Sequence, residues 1–307
     1  MSTFGLWYFR WNGNTNKHES RLRKSINDAE GTANKYDFKD QGFDYAIALG
    51  NSGFDIRFTR DGYLDGKKFA RDVQAVFEDI PYYITIPYYT YNPSRSRPYQ
   101  PRDTPNGSNE YWSRWIDGVL DVAESSLKGF YWSQESAWML HDNLITITAL
   151  EALSDKIHSH GLKFIWIPHA RTKERDRTDI PEIYSRHIFN YIFVQPNYYQ
   201  YSTIASAQGE LPYTYDELRD YVDWILEGQL YMAMEADEGV ITGCGKCRQC
   251  SLNSPDACKE LACDYIRAQK DVMGKKFYHR VYYFGVTLDV INKLNSYCRI
   301  HIGENYV

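Results

Sequence analysis

The sequence predicts an α/β protein, a single (β/α)8 TIM barrel spanning residues 1–307. Three observations predict it. Short apolar segments rich in β-branched and aromatic residues alternate with stretches whose apolar residues fall at helical spacing. Eight such pairs follow one another, and parallel strands covered by helices close on themselves at that number. No stretch has the composition of a linker, and no second domain or internal repeat is visible.

The elements follow in order. The first strand is expected over Phe4–Trp11, with a helix over Ser20–Lys35. The second strand, Phe43–Leu49, leads to a helix over Gly66–Ile80 with Phe69, Val73, Val76, Phe77 and Ile80 on one face. The third, Tyr82–Tyr88, is followed by a long loop, Thr90–Asn109, and a helix carrying Trp112, Trp115, Ile116, Val119 and Leu120. The fourth, Lys128–Ser133, precedes a helix over Leu144–His160, which Gly161 ends. The fifth strand is Lys163–Pro168, with a short helix near Pro181–Phe189. The sixth is Tyr191–Gln195, with Leu218, Tyr221, Val222, Ile225 and Leu226 on its helix. The seventh is Gln229–Met234, followed by a cysteine-rich insertion over 240–262 and a helix over Cys258–Met273. The eighth is Phe277–Phe284, and a helix over Leu288–Tyr297 closes the chain.

Charge and composition exclude some functions. A formal net charge of −5 argues against a nucleic-acid partner. No apolar run approaches the length that crosses a bilayer, so no membrane association is expected. The start MSTFGLWYF has no basic segment followed by an apolar one, which makes the cytoplasm the expected location. The 27 Tyr, 8 Trp and 14 Phe supply rings that stack on sugars or fill a core.

In this fold the chemistry sits where strands end and loops begin. Two carboxylates stand there after apolar strands, Glu135 after the fourth and Glu235 after the seventh. A facing pair of carboxylates suits glycoside hydrolysis, one protonating the leaving oxygen and the other attacking carbon or activating water. Many retaining glycosidases on this barrel use these two strands, but they place Asn before the fourth-strand Glu where this chain has Gln134. Asp237, on the same side of the strand as Glu235, is a candidate ligand for a sugar hydroxyl. Gln195, Asn197 and His169 offer hydrogen bonds, and Trp132, Tyr88 and Tyr198 offer stacking faces. The spacing of the two carboxyls would separate a retaining from an inverting reaction.

The runs LKGFYWSQES (127–136), HSHGLKFIWIPHA (158–170), YIFVQPNYY (191–199) and YMAMEADEG (231–239) resemble the domain-of-unknown-function family 4855, whose members look like glycosidase barrels. The resemblance puts Glu135 on the family's GFYW-x-x-E, and Glu235 and Asp237 on its ME-x-D. It implies a carbohydrate-directed hydrolase.

Five of the six cysteines lie between 244 and 263. With no secretory signal, that density reads as a structural zinc held by Cys244, Cys247, Cys250 and Cys258, with an iron–sulfur cluster as the runner-up. Basic residues in two loops on the active face, Arg95, Arg97 and Arg102, and Arg171, Lys173, Arg175 and Arg177, suggest an anionic saccharide as partner. The leading function is a retaining glycoside hydrolase. The alternatives are a non-catalytic saccharide-binding barrel and a metal-dependent barrel enzyme that uses the cysteine site.

Overall fold

The computed structural model describes residues 1–27, 29–50, 56, 59, 61–87, 110–171, 178–206 and 209–307. Eight parallel strands form its centre: β1 (Ser2–Asn12), β2 (Tyr45–Leu49), β3 (Tyr82–Ile86), β4 (Leu127–Trp132), β5 (Lys163–Trp166), β6 (Tyr191–Val194), β7 (Tyr231–Glu235) and β8 (His279–Tyr283). Each pairs with the next, and β8 pairs with β1 through Ser2–His279 to Gly5–Tyr282, so the barrel is closed. The strands alternate with helices α1 (Lys35–Asp40), α2 (Gly62–Phe77), α3 (Glu110–Leu120), α4 (Ile147–Ser159), α5 (Ile180–Ser185), α6 (Tyr215–Glu227), α7 (Pro255–Met273) and α8 (Asp289–Ile302).

Strand alternation divides the apolar residues into two cores. Phe4, Leu6, Ile47, Leu49, Tyr83, Tyr131, Ile165, Phe193, Ala233 and Val281 fill the barrel. Their neighbours along each strand, such as Trp7, Ile84, Trp132, Trp166 and Met234, face the helices. Aromatic rings plug the lower end, where Phe4 lies 4.9 Å from Tyr45 and 5.1 Å from Phe193. Space is left at the opposite end, where the strands finish.

Indoles on the helix-facing side also tie down those strand ends. The indole N–H of Trp115 donates to Thr85 O, that of Trp112 to Pro87 O and that of Trp166 to Gln134 O. Helices α2 and α3 approach closely because Gly66 and Gly118 face the partner's backbone; a methyl at Gly118 would strike the carbonyl of Tyr63.

The helix expected over Ser20–Lys35 is absent. Arg23–Ile26 and Ala29–Thr32 pair as an antiparallel hairpin, with Asn27 in the left-handed region at φ 49°. That segment has no apolar stripe to bury: Leu22 and Ala33 are buried, while Ile26 is exposed. Helix α1 begins only at Lys35, where Asn34 and Asp37 form a reciprocal capping box. The loop over Thr90–Asn109 lies outside the described residues.

Candidate active site

The site is built on β4, β5, β6 and β7. Beyond their ends the chains stay in step: Ser136 bridges to His169, and His169 bridges to Gln195. The His169 N–H donates to Glu135 O at 2.7 Å. With the Trp166 indole 2.6 Å from Gln134 O, this pairing sets Glu135, His169 and Asn197 in a row. Glu235 continues the inward parity of Tyr231 and Ala233 on β7.

A continuous polar chain links the two carboxylates. The Tyr131 hydroxyl donates to Glu135 Oε1 at 3.0 Å, and His169 Nε2 lies 2.9 Å from Glu135 Oε2. His169 Nδ1 lies 3.0 Å from Asn197 Oδ1. Asn197 then grips both oxygens of Glu235, its backbone N–H on Oε2 at 2.7 Å and its Nδ2 on Oε1 at 2.9 Å. The grip needs the left-handed backbone of Asn197, φ 58°, a conformation that Asn tolerates better than most residues. Tyr265 of α7 donates to Oε2 at 2.6 Å, and Gln200 to Oε1 at 3.1 Å.

The electrostatics follow from this wiring. Glu235 is only 1 % exposed. Burial pushes its pKa above the ordinary carboxylate value, although the Tyr265 hydroxyl, the charge on His169 and the Asn197 donors pull the other way. Crowding by protein alone would lower the pKa of His169. The hydrogen bond and charge of Glu135, then Asn197 and the charge of Glu235, outweigh it and raise the pKa to about 9. Both ring nitrogens of His169 face oxygens, as an imidazolium requires. The ring still keeps 46 % of its side-chain surface open to the cleft.

Glu135 and Glu235 line one cavity of about 120 Å3 in the barrel mouth, with Tyr8, His169, Lys246 and Tyr283. A second cavity, of about 490 Å3 and lined by Trp138, Arg171, Asn197 and Tyr201, meets the first at His169. A larger cavity of about 880 Å3 lies between the C-terminal part of α2 and the segment entering β4, at the far end of the barrel. Its Glu78 and Asp79 already pair with Lys35, so the chemistry belongs to the mouth.

Of the residues read from the sequence, Glu135, His169, Gln195, Asn197 and Glu235 come together here. Gln195 lines the cavity while its Nε2 donates to Ile167 O. Three others do not serve as expected. Trp132 points outward, fully buried against Trp112 and Met139, because the inward place on β4 belongs to Tyr131. Tyr198 is buried between the Arg248 guanidinium, 3.9 Å from its ring, and Asp264, which accepts its hydroxyl. Asp237 is buried and already accepts from Tyr199 Oη, the Gly239 N–H and the Lys246 N–H, so it fastens the loop rather than facing a sugar. Tyr88 lies outside the described residues, as do Arg95, Arg97, Arg102, Lys173, Arg175 and Arg177.

The sequence reading missed Tyr131, Gln200, Lys246 and Tyr265. Strand parity points to Tyr131. Tyr265 carries no local mark, because its contact with Glu235 arises only when α7 packs behind β7.

The metal reading is overturned. Cys244 pairs with Cys250, Cys247 with Cys258 and Cys263 with Cys298, so no thiolate is left to hold zinc or an iron–sulfur cluster. Among the described residues no cluster of His, Cys, Asp and Glu fits a metal ion. The metal-dependent barrel enzyme falls with it. Three disulfides also point to an oxidising setting, against the cytoplasmic expectation. No helix among the described residues is long and apolar enough to cross a membrane.

Fold and site together define a closed parallel barrel that carries two carboxylates in its mouth, joined through a histidine and an asparagine. Residues 120–214 match the model of the family Domain of unknown function (DUF4855), and this stretch holds Tyr131, Glu135, His169 and Asn197. The chain is 28% identical to an uncharacterized protein of Methanocaldococcus jannaschii over 346 residues, covering 95% of this chain and 91% of the relative. Among solved structures it is similar to the 7,8-dihydropteroate synthase of Vibrio fischeri ES114, with a TM-score of 0.42, 10% identity and coverage of 87% of this chain and 85% of that one. That likeness is too distant to bear on activity.

Proposed function

We propose that this chain is a glycoside hydrolase of the retaining type, and that residues 1–307 act as one domain in an oxidising compartment. The observation that carries the reading is that Glu135, beyond the end of β4, and Glu235, at the end of β7, line one cavity together with His169. The His169–Glu135 pair holds one proton and delivers it to the leaving oxygen as the glycosidic C–O bond breaks. A Glu235 oxygen forms the new bond to the anomeric carbon. Water then attacks that carbon, its proton returns to the pair, and the glycosyl ester breaks to free Glu235. Tyr265, Asn197 and Gln200 hold Glu235 still and favour its ionised form, which the attack requires.

The competing reading is a saccharide-binding barrel without turnover. It is favoured by the four donors already spent on Glu235, since a carboxylate has about four acceptor positions. Screening the protein against chromogenic glycosides of both anomers, with Glu135→Gln and Glu235→Gln beside it, separates the two. Turnover lost in both variants with saccharide binding kept supports hydrolysis. Binding without turnover in the unsubstituted protein leaves the binding barrel.

A further inference from the structure

The connection between β7 and α7 does more than cross the barrel rim. Its backbone is fastened twice, by the Cys244–Cys250 and Cys247–Cys258 disulfides and by Asp237, whose Oδ2 accepts the Lys246 N–H at 2.5 Å. Gly245, at φ 152°, makes that clasp possible, because a side chain there would collide with the Asp237 carboxylate. The result is that Lys246 is delivered into the cavity that holds Glu135 and Glu235.

Among the described residues, no other cation near the mouth is comparably unspent. Arg171 pairs with Glu210 at 3.0 Å. Arg248 donates to the carbonyls of Tyr201 and Tyr213 and stacks on Tyr198. Lys246 has no carboxylate at ion-pair distance among the described residues, and its ammonium lies 5.2 Å from the centre of the Tyr283 ring. An ammonium has three donors to offer a ligand. The neighbouring acids do not need its charge: Glu135 has His169, Glu235 has four donors and Asp237 has three. Burial lowers the pKa of Lys246, but Tyr283, Asp237 and Glu135 outweigh it and raise the value above that of an ordinary lysine.

We infer that Lys246 selects a saccharide bearing an anionic group, a carboxylate or a sulfate ester, and seats that sugar between Glu135 and Glu235. The inference rests on the saccharide reading of the site, and it names the class of sugar. A cation held by a disulfide-bonded loop, with donors free in a half-closed cavity, is a recognition element for an anion.

The test measures binding apart from turnover. Hexuronate oligosaccharides, sulfated oligosaccharides and neutral oligosaccharides of matched length are titrated calorimetrically into the Glu235→Gln protein and into the same protein with Lys246→Met or Lys246→Arg. The expected result is tighter binding of one anionic series than of the neutral one, weakened about 10- to 100-fold relative to neutral by Lys246→Met and largely restored by Lys246→Arg. The preference also shrinks as salt rises. Whichever anionic series shows the effect identifies the group. Equal binding of neutral and anionic series, or an equal loss on both with Lys246→Met, overturns the inference while leaving hydrolysis of neutral sugars possible. Lys246-dependent binding of an acidic series without turnover by the unsubstituted protein upholds the inference and defeats the hydrolase reading. Binding of no series defeats both.

Discussion

Replacing Asn197 by Asp changes almost nothing in shape. Asp tolerates the left-handed backbone, and Oδ1 stays available to His169. What changes is the atom 2.9 Å from Glu235 Oε1, a donor in the native protein and an acceptor in the variant. Two full charges at that separation repel by roughly 6 kcal/mol at an effective dielectric of 20. Taking up a proton is cheaper. Holding at pH 7 a proton that the unfolded Asp releases near pH 3.9 costs about 4 kcal/mol. The sign is that of an acid whose folded pKa is raised: the native contribution is intact below about pH 4, and stability falls by about 1.4 kcal/mol per pH unit above it. At roughly 2 °C per kcal/mol for a chain of this length, Asn197→Asp should melt about 8 °C below the native protein at pH 7 and close to it at pH 4. Thermal unfolding of both proteins across that range reads the difference directly. A difference independent of pH, or none at all, would refute the reasoning, because it would mean that Glu235 already carries a proton at pH 7 and cannot be the attacking carboxylate.

Three further outcomes follow from the same structure. Because the pKa of His169 is raised to about 9, its charged form persists through neutral pH; turnover should fall on an alkaline limb near that value, and a His169→Asn variant should lack the limb. The stability from that charge is likewise full below the unfolded value near 6.5 and lost as pH rises through the folded one. Alkylation with iodoacetamide in denaturant should label no cysteine before reduction and all six after it, and any label before reduction counts against the three pairs. Gly118→Ala should cost about 3 kcal/mol, since its methyl meets the fixed Tyr63 backbone, lowering the melting point by roughly 6 °C; a melt within a degree of native would show that α2 and α3 can part.

How much of the molecule is legible in the sequence depends on the distance over which each fact is determined. The eight strand–helix pairs are local patterns with periods of 2 and 3.6, and they can be read in order. The hairpin before Lys35 cannot, because charged residues spaced through that segment suit an exposed helix as well as a strand, and only the missing apolar stripe tells them apart. Within the site, parity carries the information. Glu235 faces inward because Tyr231 and Ala233 do, and the same rule, applied to β4, exchanges Trp132 for Tyr131. The tryptophans are the instructive error. A large ring at a strand end suggests a sugar platform, yet Trp112, Trp115 and Trp166 use their indole N–H groups to anchor strand-end carbonyls from the helix side. Such a role needs a ring with a donor, so it favours the residue type that a sugar site favours, and composition cannot separate the two. Cysteines pose a similar ambiguity. Thiols two residues apart can converge on a metal ion, but here Cys247 crosses to Cys258 at the start of α7, and Cys263 reaches Cys298 on α8. Those partners are set by how the last two helices pack, which local spacing does not record. For the same reason Lys246 is invisible in the sequence as a site residue. Its position in the mouth depends on two disulfides and one aspartate acting together, and none of the three marks a site by itself.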